Sequence, residues 1–268
     1  MLLKLLFFGG KGGVGKSTLS CAVALRLSER GKTLLLSVDP AHSLSGIMCV
    51  EIGEKGREIK KGLFALELQA EKLVEEYAGN VLSSIEELLP SAKAGIREYV
   101  KYLKLSPTAL ETAILDKLVD LCGRYSYVVV DSAPTGQMLR LFNTAHMVKG
   151  WFEFLHRFAK ERERLERFMG RDDRLLSLIE SRKEKVKLLL RLLKEKAVIF
   201  AVANEEKLSL QEAETIKESL KDLRVYTVLN RWTKMDWKGV KVPLCENPYG
   251  VEGLLRLNVD ELLEVLEK

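Results

Sequence analysis

The residues most able to do chemistry stand near the start of the chain. Gly10-Lys11-Gly12-Gly13-Val14-Gly15-Lys16-Ser17 sets a glycine, four residues, then Gly-Lys-Ser, with an apolar run before it and a helical pattern after it. Glycines let a backbone wrap a polyphosphate with its N–H groups turned inward, where a Cβ would block the conformation or the approach. The helix opening near Ser17 adds its positive end. In such a loop Lys16 reaches the β- and γ-phosphates and the Ser17 hydroxyl ligates Mg²⁺, so the spacing predicts ATP binding with magnesium. Lys11 is unusual, because an ordinary phosphate loop needs no cation just after its first glycine; the bland alternative is a solvated lysine.

Two further carboxylates end apolar runs, where ligands of open α/β sheets bind. Asp39 follows Thr33–Val38 in the stretch Asp39-Pro40-Ala41-His42-Ser43-Leu44. It is the candidate to hold or deprotonate an attacking water, although a turn aspartate before Pro40 reads the same locally. Asp131 ends Tyr127–Val130 and reads as the acid that orients Mg²⁺, directly or through water, with a helix cap as its plain alternative.

These groups need a scaffold. Short apolar runs alternate with helical patterns, which predicts an α/β fold: a mostly parallel sheet with helices on both faces. Strands are expected at Leu2–Phe8, Thr33–Val38, Leu63–Leu68, Tyr127–Val130, Val198–Val202, Val225–Leu229 and Val240–Val242. Helices are expected at Ser17–Arg30, Glu71–Leu89, Ala109–Cys122 and Leu210–Leu220. Several strands are apolar throughout, as strands covered on both faces are. No linker or repeat divides the chain, so one domain over residues 1–268 is expected.

The segment Trp151–Lys196 stands apart. Trp151, Leu155, Phe158, Leu165 and Met169 form one helical stripe; Leu175, Ile179, Val186, Leu190 and Leu193 form another, with Gly170 between them. A helical hairpin inserted between two strands follows. It holds 14 Lys/Arg and 9 Asp/Glu, so its net +5 equals the formal charge of the whole chain. Four aromatics fall within eight residues at Trp151, Phe152, Phe154 and Phe158. Such a stripe is either core or a surface for apolar cargo, and the basic excess is either a solvated face or a face for anionic lipid or DNA.

With 268 residues, 47% hydrophobic and 30% charged, the chain can bury a sizeable core and is not disordered. No apolar run approaches the ~20 residues that span a bilayer. Cys21, Cys49, Cys122 and Cys245 lie far apart, without C-x-x-C spacing, which points to a reducing, cytoplasmic setting.

The string Lys11-Gly12-Gly13-Val14-Gly15-Lys16-Ser17-Thr18 resembles the deviant phosphate loop of the partitioning and arsenical-pump ATPase superfamily. Asp39–Leu44 and Asp131–Leu141 resemble the two switch segments of the arsenical-pump ATPase family, which also contains the ATPases that target tail-anchored membrane proteins. The likeness continues at Phe64–Leu68, Ala203–Leu210, Val228–Asn230 and Val242–Gly253. It implies a P-loop ATP hydrolase in which Asp39 is the catalytic carboxylate and residues Gly10 to Thr18 hold ATP. It also implies that Glu206 and Asn230 contact ribose and adenine, and that Pro243 lies in the segment lining the base. The implied assembly is a homodimer in which Lys11 reaches the partner's nucleotide and His42 belongs to the first switch.

The chain departs from the family twice. Targeting ATPases of the eukaryotic type clamp zinc with a C-x-x-C between the motifs resembling Asn230 and Pro243, and Arg231–Val242 holds no cysteine. Dimerisation is then expected to depend on nucleotide. Arsenical-pump ATPases of the bacterial type join two ATPase halves and group their thiolates, whereas this chain has one half. The leading expectation is a dimeric ATPase that captures or releases a protein cargo with an apolar segment, with a transient membrane receptor as a possible partner. The alternatives are a partitioning-type switch on DNA or a membrane surface, with nucleic acid the less expected partner, and an ATPase that drives an anion pump.

Overall fold

The computed structural model describes residues 4–38, 43–88, 104, 106, 108–121, 123–131, 135–145, 153, 156, 157, 160 and 175–267. The chain divides into two compact units: Met1–Ala70 with Leu121–Leu139 and Leu192–Lys268, and Glu71–Asp120 with Arg140–Arg191.

The first unit contains the sheet. Its strands are β1 (Lys4–Gly9), β2 (Thr33–Ser37), β3 (Arg57–Lys60), β4 (Leu63–Glu67), β5 (Tyr127–Asp131), β6 (Ala197–Ala203), β7 (Arg224–Trp232) and β8 (Val240–Pro243). They lie in the order β3-β4-β2-β5-β1-β6-β7-β8. All neighbours run parallel except β3, which returns antiparallel on β4. The seven strands expected from the sequence are present within a residue or two, save that β7 runs three residues beyond the expected Leu229. β3 is the addition: its Arg-Glu-Ile-Lys has no apolar run to announce it, because an edge strand need bury neither face.

β1, β2 and β6 are buried along nearly their whole length, as strands sandwiched by helices must be. Leu6, Phe8, Leu35, Val129, Phe200 and Val202 point to one face and form a core with α1 (Lys16–Leu27), α2 (Ser43–Met48), α7 (Gly250–Leu255) and α8 (Asp260–Glu264). The other face takes α6 (Lys207–Ser219), which packs on β6 and β7 through Ala213 and Ile216. The Phe8 and Phe200 rings sit 5.0 Å apart and both are fully buried. Truncating Phe200 to alanine would cost about 3–5 kcal/mol.

The second unit is helical: α3 (Ala70–Leu88, all but its first residue), α4 (Ala109–Leu121, all but its last residue) and most of α5 (Leu175–Lys196). α5 is the expected second arm of the hairpin; it buries Ile179, Leu189 and Leu193. Of the expected first arm, Glu153, His156, Arg157 and Lys160 are helical, while Trp151, Phe152, Phe154, Leu155 and Phe158 lie outside the described residues.

Parallel register decides what meets at the carboxyl edge. Phe8 pairs with Asp131, Asp131 with Ser37, and Ser37 with Glu67. Asp131 on β5 and Glu67 on β4 therefore end the strand tips on either side of β2, with Asp131 next to the exit of β1, from which the glycine loop emerges. The segment with Asp39 leaves β2, between them.

Candidate active site

The glycine loop takes its shape from three left-handed residues, Gly10 (φ 141°), Gly13 (φ 81°) and Gly15 (φ 92°). Two of them also lack room for a side chain: a Cβ at Gly10 would lie 2.2 Å from the Val202 carbonyl oxygen, and one at Gly15 would lie 2.4 Å from Asn230 Nδ2. Above Gly12 and Gly13 the space is open, with nothing within 4 Å of where a Cβ would stand. Crowding beneath and openness above make a cradle. α1 begins at Lys16 with Gly15 as its cap, and no side-chain hydrogen bond or acidic first-turn residue competes for its N–H groups. An anion is the natural partner for such a helix end.

Lys16 is only 7% exposed, and its Nζ donates to the Lys11 carbonyl at 3.1 Å. The amine thus arches over its own loop. Lys11 meets Glu206 at 3.8 Å, with the two side chains 37% and 66% exposed. A pair that open contributes about 0–1 kcal/mol, so Lys11 is readily released to another anion.

Asn230 is buried on β7, and its Nδ2 donates to the Val14 carbonyl at 2.8 Å. Here the residue that resemblance assigns to the nucleoside also braces the phosphate loop. Pro243 ends β8 and borders a cleft of about 480 Å³ with Leu244, Cys245, Asn247 and Arg256. Glu206 stands at the N-cap position of α6 without a side-chain capping bond, and Ser17 and Thr18 are half-buried in the first turn of α1. Asp131 is fully buried at the end of β5. Asp39 and His42 lie outside the described residues.

The donor chemistry fits magnesium. Ser17 and Asp131 offer hard oxygens beside the place where phosphates would supply more, the arrangement this ion prefers. Among the described residues no three His, Cys, Asp or Glu side chains gather as a metal site of their own. Cys21 lies under the strand tips; burial first, then the Asp131 and Glu67 charges, push its thiol well above the ordinary value. That thiol stays protonated and inert.

Two carboxylates that sequence reasoning did not single out have defined places. Glu67 holds Ser45 through both of its oxygens. Glu205 accepts the N–H groups of Thr233, Lys234 and Met235 and the Thr233 hydroxyl, closing the turn after β7. The signal for Glu67 was the one that identified Asp131, an acid ending an apolar strand.

A glycine cradle between a strand and an uncapped helix end, spanned by a buried lysine beside a buried strand-tip aspartate, defines a P-loop nucleotide-binding α/β protein. Comparison with known proteins narrows the class. The family described as anion-transporting ATPase matches residues 3–230. The chain is similar to putative arsenical pump-driving ATPase 2 of Aquifex aeolicus, at 35% identity over 230 residues, 82% of this chain and 76% of that one. It is also similar to an arsenical pump-driving ATPase of Escherichia coli, 34% identical over 156 residues, 56% of this chain and 26% of that protein. An ATPase ASNA1 homolog of Cryptosporidium parvum is 38% identical over 149 residues, 53% of this chain and 38% of that one. The chain belongs to the anion-transporting ATPase family and is an ATP hydrolase. Among the described residues no helix is long and apolar enough to cross a membrane.

Proposed function

We propose that this chain is a cytoplasmic, magnesium-dependent ATPase that works as a homodimer and couples ATP binding and hydrolysis to the capture and release of a protein cargo with an apolar segment. The single observation that carries the nucleotide half of this reading is the Lys16 amine resting on the Lys11 carbonyl over an open glycine floor. An incoming triphosphate offers that ammonium charged oxygens in place of a neutral carbonyl, adding ion-pair attraction to a hydrogen bond that the lysine's own charge already strengthens.

In this scheme the N–H groups of the Gly10–Thr18 loop hold the phosphates, and Lys16 bridges the β- and γ-oxygens. Ser17 and Asp131 hold magnesium, which when bound neutralises charge on those oxygens. Asp39 orients the attacking water and takes its proton as the oxygen–phosphorus bond forms and ADP leaves. Glu206 and Asn230 face the ribose and base, with Pro243 beside the base. Lys11, paired among the described residues with the exposed Glu206, crosses to the partner subunit's nucleotide and spreads transition-state charge. Likeness to the ASNA1 homolog and the aromatic stripe of residues 151–158 support an apolar cargo, possible transfer to a membrane receptor, and the helical hairpin as its platform.

The test is a pull-down. An Asp39→Asn variant trapped with Mg·ATP should retain a tail-anchor peptide that nucleotide-free protein releases, with soluble peptides as controls. Equal recovery of soluble and tail-anchor peptides removes the cargo reading and leaves the ATPase.

A further inference from the structure

Glu67 closes β4 at 4% exposure, one strand from Ser37 and two from Asp131. A carboxylate buried so deeply is costly unless its oxygens are engaged. Both are. Oε2 accepts the Ser45 hydroxyl at 2.6 Å, and Oε1 accepts the Ser45 N–H at 3.1 Å. The same hydroxyl oxygen accepts the Ile52 N–H at 3.2 Å, so entry to and exit from α2 meet on one side chain. The backbone of β4 adds to the grip: the Glu67 N–H donates to the Gly53 carbonyl at 3.2 Å, and the Leu68 N–H to the Ser37 carbonyl at 3.0 Å.

The consequence follows from chain order. Ser37 precedes the segment 39–42 and Ser45 follows it, so the tip of β4 holds the chain on both sides of Asp39. Ser37 stands two residues before Asp39 and Ser45 three residues after position 42, so whatever fixes Ser45 sets one end of the span that this segment must cross. Leu44 and Met48 seat the six-residue α2 in the core, and the Glu67 bonds orient its first turn against β4. A carboxylate suits the task because it accepts two hydrogen bonds from one residue, fixing orientation as well as distance.

We infer that Glu67 is a positioning residue for ATP hydrolysis: through Ser45 it fixes the downstream anchor of the segment that carries Asp39, and touches no reacting atom itself. The inference rests on the reading of Asp39 as the group that aligns the water. Misplacement of a reacting group by about 1 Å costs on the order of 10²-fold in rate, whereas nucleotide binding, which belongs to the glycine loop, is untouched.

Steady-state turnover, KM for Mg·ATP, ADP affinity and melting temperature are measured on the full chain and on Glu67→Gln, Ser45→Ala, Ser45→Thr and Asp39→Asn. Glu67→Gln and Ser45→Ala should lose about 10- to 100-fold in kcat with KM and ADP affinity within about twofold of the parent. Ser45→Thr keeps both donors and should recover most of the turnover that Ser45→Ala loses. If Glu67→Gln fails to fold, the Ser45→Ala and Ser45→Thr pair decides alone. Parental kcat in both Glu67→Gln and Ser45→Ala overturns the inference. So does a loss that raises KM in step, or one that Ser45→Thr fails to rescue. Undiminished turnover in Asp39→Asn instead sinks the catalytic reading on which the inference stands. Slow Asp39→Asn beside normal Glu67→Gln sinks the inference alone.

Discussion

The two units use polar residues in opposite ways. In the sheet unit Lys16, Glu67, Asp131 and Asn230 are buried and cluster at the carboxyl edge. In the helical unit the pairs Lys117–Glu76, Lys104–Glu75 and Lys185–Asp120 lie on the surface, each with substantially exposed partners. Arg140–Glu111 is intermediate, a buried carboxylate answered by an exposed guanidinium at 2.9 Å. Burying a polar group is costly, so a fold that buries several in one row retains them for a ligand or a geometry. Exposed pairs hold little energy and specify little.

That contrast can be broken at several points. Asp39→Asn should keep nucleotide binding and slow hydrolysis by roughly 10²- to 10⁴-fold, read by phosphate release under saturating Mg·ATP. Lys16→Ala should weaken Mg·ATP affinity by about 10²-fold or more, since it removes charge-assisted bonds of about 1.5–3 kcal/mol each; calorimetric titration reads it. Gly15→Ala should lose about 1–2 kcal/mol from its left-handed backbone alone. It should also displace Asn230, whose amide nitrogen stands 2.4 Å from the new Cβ; melting and titration together separate the two effects.

Smaller effects sharpen the contrast. The Thr233 backbone N–H foremost, with its hydroxyl and the Met235 and Lys234 N–H groups, holds the Glu205 carboxyl below its ordinary value of 4.5. A lowered folded-state pKa contributes stability that is present above the unfolded value and is lost as pH falls through the folded one. Glu205→Gln should therefore melt lower than the parent at pH 7 and converge with it only as the pH falls below 4.5 and through the lowered folded-state pKa. Lys117→Ala, on the helical unit, should change stability by less than about 1 kcal/mol by denaturant titration.

The legible parts of the molecule were those in which one residue type has one physical use. Glycines at Gly10, Gly13 and Gly15 have positive φ, and the run of Val in β5 is buried on both faces, so loop and strand could be read directly. Asp131 was legible because an acid at the end of such a strand must face something. Less could be read where the cause is tertiary. β3 is polar and exists through pairing with β4; α2, α7 and α8 are too short for a periodic signal. The clamp of Glu67 on Ser45 joins residues 22 apart in sequence, and the brace from Asn230 to Val14 joins residues 216 apart. Neither spacing carries a pattern. The turn over Thr233–Met235 is closed by Glu205 from 28 residues back in the chain, a contact that composition alone does not announce.

The most direct measurement is a crystal structure of the chain soaked with Mg·ADP. Diphosphate density over Gly12 and Gly13, with Lys16 turned from the Lys11 carbonyl to an oxygen of the β-phosphate and Ser17 and Asp131 on the magnesium side, is the predicted result. Nucleotide bound elsewhere, with Lys16 still on the Lys11 carbonyl, would contradict the account.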